Sequence, residues 1–98
     1  MLEKYLEKKL VQAVKEIGGI APKLTCPNFD GMPDRLVLLP KGKIAFVEVK
    51  APGKRLRPLQ EKRKRQLEKL GFLVFCLDEI EEIEKIMKAL IGGDGSDM

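Results

Sequence analysis

The sequence predicts an α/β domain in which a small mixed β-sheet is flanked by helices. Residues Arg35 to Leu39 and Ile44 to Val49 form two apolar, β-branched runs separated by Pro40, Lys41, Gly42 and Lys43, the pattern of an antiparallel hairpin. Ahead of the hairpin, Leu2, Leu6, Leu10, Ala13, Val14 and Ile17 recur at helical spacing. Behind it, a basic helical segment leads into the short apolar run Phe72 to Leu77, which suits a buried strand returning in parallel beside the Ile44 to Val49 strand.

Taken in order, the first helix spans Leu2 to Ile17 and stops at Gly18 and Gly19. Glu7 flanks its apolar stripe near Leu10, Val11 and Val14, a position from which a carboxylate reaches over the rim of the core toward the sheet. Glu3, one turn earlier, lies closer to the middle of the stripe and is a rival; for either, an ion pair with a nearby lysine is the plainer role. Ile20 to Leu24 can form a short strand that aims Lys23 toward the same end of the sheet. Residues 25–31, with Pro27, Asn28, Asp30 and Gly31, are a loop dense in turn formers.

The hairpin carries the chemistry. Side chains alternate along a strand, so Ile44, Phe46, Glu48 and Lys50 share one face while Ala45, Val47 and Val49 share the other. Both faces are apolar at the start, which marks a central, doubly covered strand where a lone carboxylate is costly unless it is paired or metal-bound. Pro33 removes a ladder donor just before Asp34, so Asp34 sits at a strand start where a bulge can correct its aim. An odd-numbered connection, such as residues 41–43, places Asp34 opposite Lys50 and on the face of Glu48. An even one places it on the other face.

After Lys50 comes a basic loop, residues 51–57, with Lys54, Arg55 and Arg57. Pro58 suits the first turn of a second helix, about Pro58 to Leu70, closed by Gly71. There Leu59, Leu67 and Leu70 are expected inward, Lys62, Arg63, Lys64 and Arg65 outward, and Gln60 in the first turn near the end of the Glu48 strand. Asp78 can cap a third helix, with Glu81 completing a capping box and Ile80, Ile83, Met87, Leu90 and Ile91 as its stripe. Residues 1–91 read as one domain and residues 92–98 as a flexible tail with nothing to bury.

Composition narrows the function. A chain of 98 residues with 44% hydrophobic content holds one small core. The net charge of +4 is uneven: Lys50 to Lys69 contain nine Lys or Arg and two Glu, net +7, leaving the remainder at −3. A local basic patch is the electrostatic footprint of a phosphate backbone, although lysine-rich helices are also common as solvated faces. Two cysteines, fifty positions apart, and no histidine exclude a conventional zinc site and any imidazole base, and Cys76 reads as a small buried hydrophobe. No apolar run approaches the roughly 20 residues of a membrane span, so a soluble, cytoplasmic protein is expected.

Pro33 and Asp34, then Glu48, Val49 and Lys50, then Gln60 resemble the PD-(D/E)XK nuclease superfamily. The longer runs Gly31 to Pro40, Phe46 to Gly53 and Arg57 to Gln60 are similar to the stand-alone VRR-NUC nucleases of phage and bacteria, and the likeness extends from about Glu7 to about Glu79. The segment Glu7 to Gly18 also resembles the first helix of archaeal Holliday-junction resolvases. The resemblance implies a restriction-endonuclease-like core, ordered α-β-β-β-α-β-α. It further implies a catalytic set of Asp34, Glu48, Lys50 and Gln60, with Gln60 lining the site.

In that setting Asp34, Glu48, Glu7 and the Val49 carbonyl offer a hard, all-oxygen site suited to Mg²⁺ or Mn²⁺. The resemblance implies a metal-dependent endonuclease on DNA, selective for branched forms such as Holliday junctions and acting as a homodimer. Lys54, Arg55, Arg57, Lys62, Arg63, Lys64 and Arg65 would grip the backbone. Two other classes stay open: a catalytically silent DNA-binding module using the basic 54–65 segment, and a small protein-interaction domain whose basic helix is incidental.

Overall fold

The computed structural model describes residues 2–95. Its elements run α1 (Leu2–Glu16), β1 (Arg35–Leu39), β2 (Lys43–Val49), α2 (Pro58–Lys69), β3 (Leu73–Leu77) and α3 (Glu81–Gly95). The sheet is mixed, in the order β1-β2-β3, with β1 antiparallel and β3 parallel to the central β2. The expected α/β class and the parallel return through the basic helix are both present.

The hairpin turn is Pro40, Lys41 and Gly42, with Lys41 and Gly42 at φ of 70° and 75°. The connection is odd, as the shared face of Asp34 and Glu48 requires, but it starts one residue earlier than the sequence suggests. Leu39 therefore pairs with Lys43 and Arg35 with Val47. One step further along this register, Asp34 falls across from Glu48 rather than from Lys50.

Ile20 to Leu24 runs along the outer edge of β1 without becoming a fourth strand, meeting it in two isolated bridges, Ile20 with Leu38 and Lys23 with Arg35. Pro22 is the reason. Its carbonyl accepts the Leu36 N–H at 3.0 Å, but its nitrogen has no hydrogen to return, and the ladder breaks between the bridges.

The main core lies on one face of the sheet. Leu6, Leu10 and Val14 of α1 and Ile83, Ile86 and Leu90 of α3 close over Val37, Leu39, Ala45, Val47, Val49 and Leu77. The opposite face is thinner: Leu67 of α2 covers Phe46 and Val74, supported by Leu24, Met32 and Leu36. Phe72 stands edge-on to Phe46 at 5.6 Å. Asp34 and Glu48 share this thinner, α2-covered face.

Three details depart from the expected packing. Leu59 of α2 and Leu70 just after it are exposed and only Leu67 is buried, because a single turn of α2 meets the small apolar face. In α3 the buried stripe is Ile83, Ile86 and Leu90, while Ile91, and Ile80 just before the helix, are exposed. That helix begins at Glu81, with the N–H groups of Glu82 and Ile83 bonded to the carbonyls of Glu79 and Ile80, so backbone turns rather than an Asp78 capping box open it. It then runs through Gly92 to Gly95, past the expected start of a tail at residue 92; the rest of that segment, residues 96–98, lies outside the described residues. No described helix is long and apolar enough to cross a membrane.

Candidate active site

Asp34 is fixed by two backbone contacts at the entry to β1. The Leu24 N–H donates to its carbonyl at 2.9 Å, and its own Oδ1 accepts the Val49 N–H at 3.2 Å. The strand ladder stops at Arg35 and Val47, so the Asp34 side chain takes over the next free donor of β2. That contact turns the carboxylate toward the end of β2, beside Glu48.

Glu48 is 7% exposed and is the buried charged residue among those described. Its Oε2 accepts a hydrogen bond from Gln60 Nε2 at 3.0 Å and stands 3.8 Å from Lys50 Nζ. Gln60 is held from its other end, since its Oε1 accepts the Arg57 N–H at 2.8 Å at the start of α2. One amide thus couples the first turn of α2 to the carboxylate of β2. Gly31, Leu56, Lys64 and Val74 close in behind, leaving a void of only about 10 Å³, so protein packs tightly around Glu48 on that side.

The electrostatics follow from this crowding. Burial, and then the charge of Asp34, pushes the Glu48 carboxyl up to about 7, against the smaller opposing pull of Lys50. Asp34 is also raised, chiefly by burial and partly by the charge of Glu7, which the Val49 hydrogen bond opposes. Two carboxylates that resist sharing a half-dry site favour the arrival of positive charge. Across β3, burial and the charges of Asp78 and Glu48 raise the Cys76 thiol, which disfavours its thiolate.

Glu7 lies at the edge of this set. Its Oε1 is 2.9 Å from Arg35 Nη2, while Arg35 Nη1 donates to the Ala21 carbonyl at 2.7 Å and the buried Arg35 Nε has no hydrogen-bond partner. Glu3 is exposed on α1. Among the described residues, no group of three or more carboxylate, cysteine or histidine side chains is assembled for a metal ion. The donor set nevertheless fits a hard divalent ion such as Mg²⁺, which is commonly held by one or two carboxylates together with water and substrate phosphate. Asp34 and Glu48 would hold it, with the Val49 carbonyl at the strand end, and Glu7 would join by leaving Arg35.

The structure thus brings Asp34, Glu48, Lys50 and Gln60 together and leaves Glu7 one ion pair away. The basic residues divide. Lys54, Arg55, Arg57 and Lys62 are exposed, whereas Arg63 stacks over the Phe29 ring at 3.9 Å, Lys64 pairs with Glu68 at 2.9 Å and Arg65 with Glu61 at 3.8 Å. Sequence reasoning missed Arg35. Its signal was present, an arginine at the start of an apolar strand, where burial demands a carboxylate partner.

A small mixed sheet with two carboxylates, a lysine and a glutamine gathered at the end of its central strand defines a carboxylate-centred α/β domain. Residues 1–78 match the VRR-NUC domain family, and the chain belongs to that family. It is 47% identical over 88 residues to the protein named "Putative nuclease p44" of Acyrthosiphon pisum secondary endosymbiont phage 1, covering 90% of this chain and 94% of that one. A solved structure named "VRR_NUC domain" superposes with a TM-score of 0.85 at 30% identity, over 90% of this chain and 96% of its own.

Proposed function

We propose that this chain is a metal-dependent DNA endonuclease that hydrolyses phosphodiester bonds and acts on branched DNA such as Holliday junctions. Family membership and the likeness to a protein named as a nuclease support nuclease activity. The observation that carries the chemistry is Glu48, a buried carboxylate raised to about 7 that faces Asp34 and is contacted by both Gln60 and Lys50. A carboxylate raised by burial and by a second carboxylate beside it is a mark of functional sites.

A divalent ion, Mg²⁺ or Mn²⁺, supplies Lewis-acid charge and an acidified water when bound. The chain's own residues do the rest. Asp34 and Glu48 present oxygens on one face, and Gln60 fixes the rotamer of Glu48 from α2. Lys50 offsets negative charge as it grows on the phosphate and orients the attacking water. Lys54, Arg55, Arg57 and Lys62, exposed on the loop and first turns beyond the site, position the backbone.

Selectivity for branched DNA and action as a homodimer rest on scale. A 98-residue chain with one such centre needs a second copy to cut two strands of a junction symmetrically. A second reading, the silent DNA-binding module, draws on the pairing of Glu7 with Arg35, which leaves only two carboxylates at the centre. Cleavage of labelled four-way junction and of linear duplex, each with Mg²⁺, Mn²⁺ or EDTA, separates the readings. Metal-dependent, symmetric junction cuts are expected. Cutting of linear DNA alone removes the branched-DNA selectivity, and binding without cutting under every metal leaves the silent module.

A further inference from the structure

The cations of α2 and its loop cover only one face of the sheet, and three of the eight are engaged within the protein, by Phe29, Glu68 and Glu61. A second set stands on the other face. Lys4, Lys8 and Lys15 lie along one side of α1, are all exposed, and line an open groove of about 770 Å³ whose inner wall is the Glu7–Arg35 pair. Among the described residues none of these three lysines has a carboxylate within ion-pair distance, in contrast with Lys85 and Lys88 of α3, which stand 3.9 and 4.0 Å from Glu82 and Glu84.

Arg35 neutralises Glu7, so the groove carries the uncompensated charge of three lysines. The eleven helical rises from Lys4 to Lys15 span about 16 Å, which matches about five phosphates along one strand of a duplex. The Glu7–Arg35 wall of the groove adjoins the candidate carboxylate centre, since Arg35 is the chain neighbour of Asp34 and the charge of Glu7 acts on Asp34. A repeating anion lying along α1 is therefore held beside that centre.

We propose that this α1 groove is a second phosphate-binding surface, on which Lys4, Lys8 and Lys15 hold the nucleic-acid backbone on the side of the site away from α2. It rests on the nuclease reading and extends it: the substrate is gripped from both faces of the sheet, with the candidate centre on the α2 face.

The test is equilibrium binding of fluorescein-labelled duplex and four-way junction to the full chain in EDTA, across a range of salt concentrations. The chains compared are wild type, Lys4→Gln/Lys8→Gln, and the charge-matched Lys85→Gln/Lys88→Gln. All four positions are exposed, and glutamine is a good helix former, so the fold is retained. The α1 pair is expected to lower the salt slope by about 1.8, at about 0.9 per lost phosphate contact, and to weaken binding about tenfold at physiological salt, with little change in the α3 pair. Wild-type binding that survives Lys4→Gln/Lys8→Gln as well as it survives the α3 pair overturns the groove alone. Failure of the wild-type chain to bind either DNA overturns the nuclease reading as well.

Discussion

Glu48 is where sequence, fold and chemistry meet. Its ordinary value is 4.5, and burial with the charge of Asp34 raises it to about 7 in the folded chain. Between those pH values the folded state keeps a proton that the unfolded chain has released, so stability falls as pH rises through that window. The change is on the order of 3 kcal/mol, and the raised Asp34 adds to it with the same sign. Glu48→Gln removes this titration, so its melting temperature should exceed that of wild type at pH 8 and converge with it near pH 4.5. An offset that does not vary with pH would show that Glu48 is not the titrating group. Gln60 acts through Glu48: Gln60→Ala should slow cleavage about 10- to 100-fold while leaving DNA affinity near wild type, and equal losses in rate and affinity would instead place Gln60 on the DNA.

At the scale of elements, the hairpin decides whether Asp34 and Glu48 meet. Pro40 to Lys43 left an odd and an even connection both open, and only the alternation of Ile44 to Lys50, which sets the face of Glu48, was legible. The exact register was not, since left-handed conformations at Lys41 and Gly42 set the turn one residue earlier, and no pattern of apolar residues reports that. The loop before Asp34 is seated by Gly31, which has φ of +90° and would place a Cβ 2.8 Å from both the Leu59 Cγ and its carbonyl oxygen. Gly31→Ala should therefore cost roughly 2 to 4 kcal/mol in urea unfolding, from backbone strain and overpacking together. Gly42, at φ of +75° but with open space around it, should lose only about 1 kcal/mol on the same substitution. Similar losses at the two positions would mean that the loop is not seated on α2.

Across the whole molecule, the order of helices and strands and the central place of β2 followed from periodicity and from the resemblance carried by Pro33 to Gln60. Charge was read less well. A sum over residues 50–69 finds the basic segment but cannot see that Phe29, Glu61 and Glu68 engage part of it, or that the lysines of α1 gather on one side beside Arg35. Those are consequences of three-dimensional neighbours that lie far apart in the chain. The proposed homodimer makes its own demand: sedimentation of the protein with a four-way junction should give two chains per junction, and a single chain per junction would remove the symmetric arrangement.

The central claim is that Glu48 and Asp34 form a metal-dependent cleavage centre. The most direct measurement is single-turnover cleavage of labelled DNA by wild type and Glu48→Ala, with Mg²⁺ and with EDTA, at protein concentrations where both bind fully. Cleavage by wild type in Mg²⁺ only, with loss of at least about a thousandfold in Glu48→Ala and DNA binding unchanged or tighter, is the expected result. Wild-type rates from Glu48→Ala, or cleavage that persists in EDTA, would contradict it.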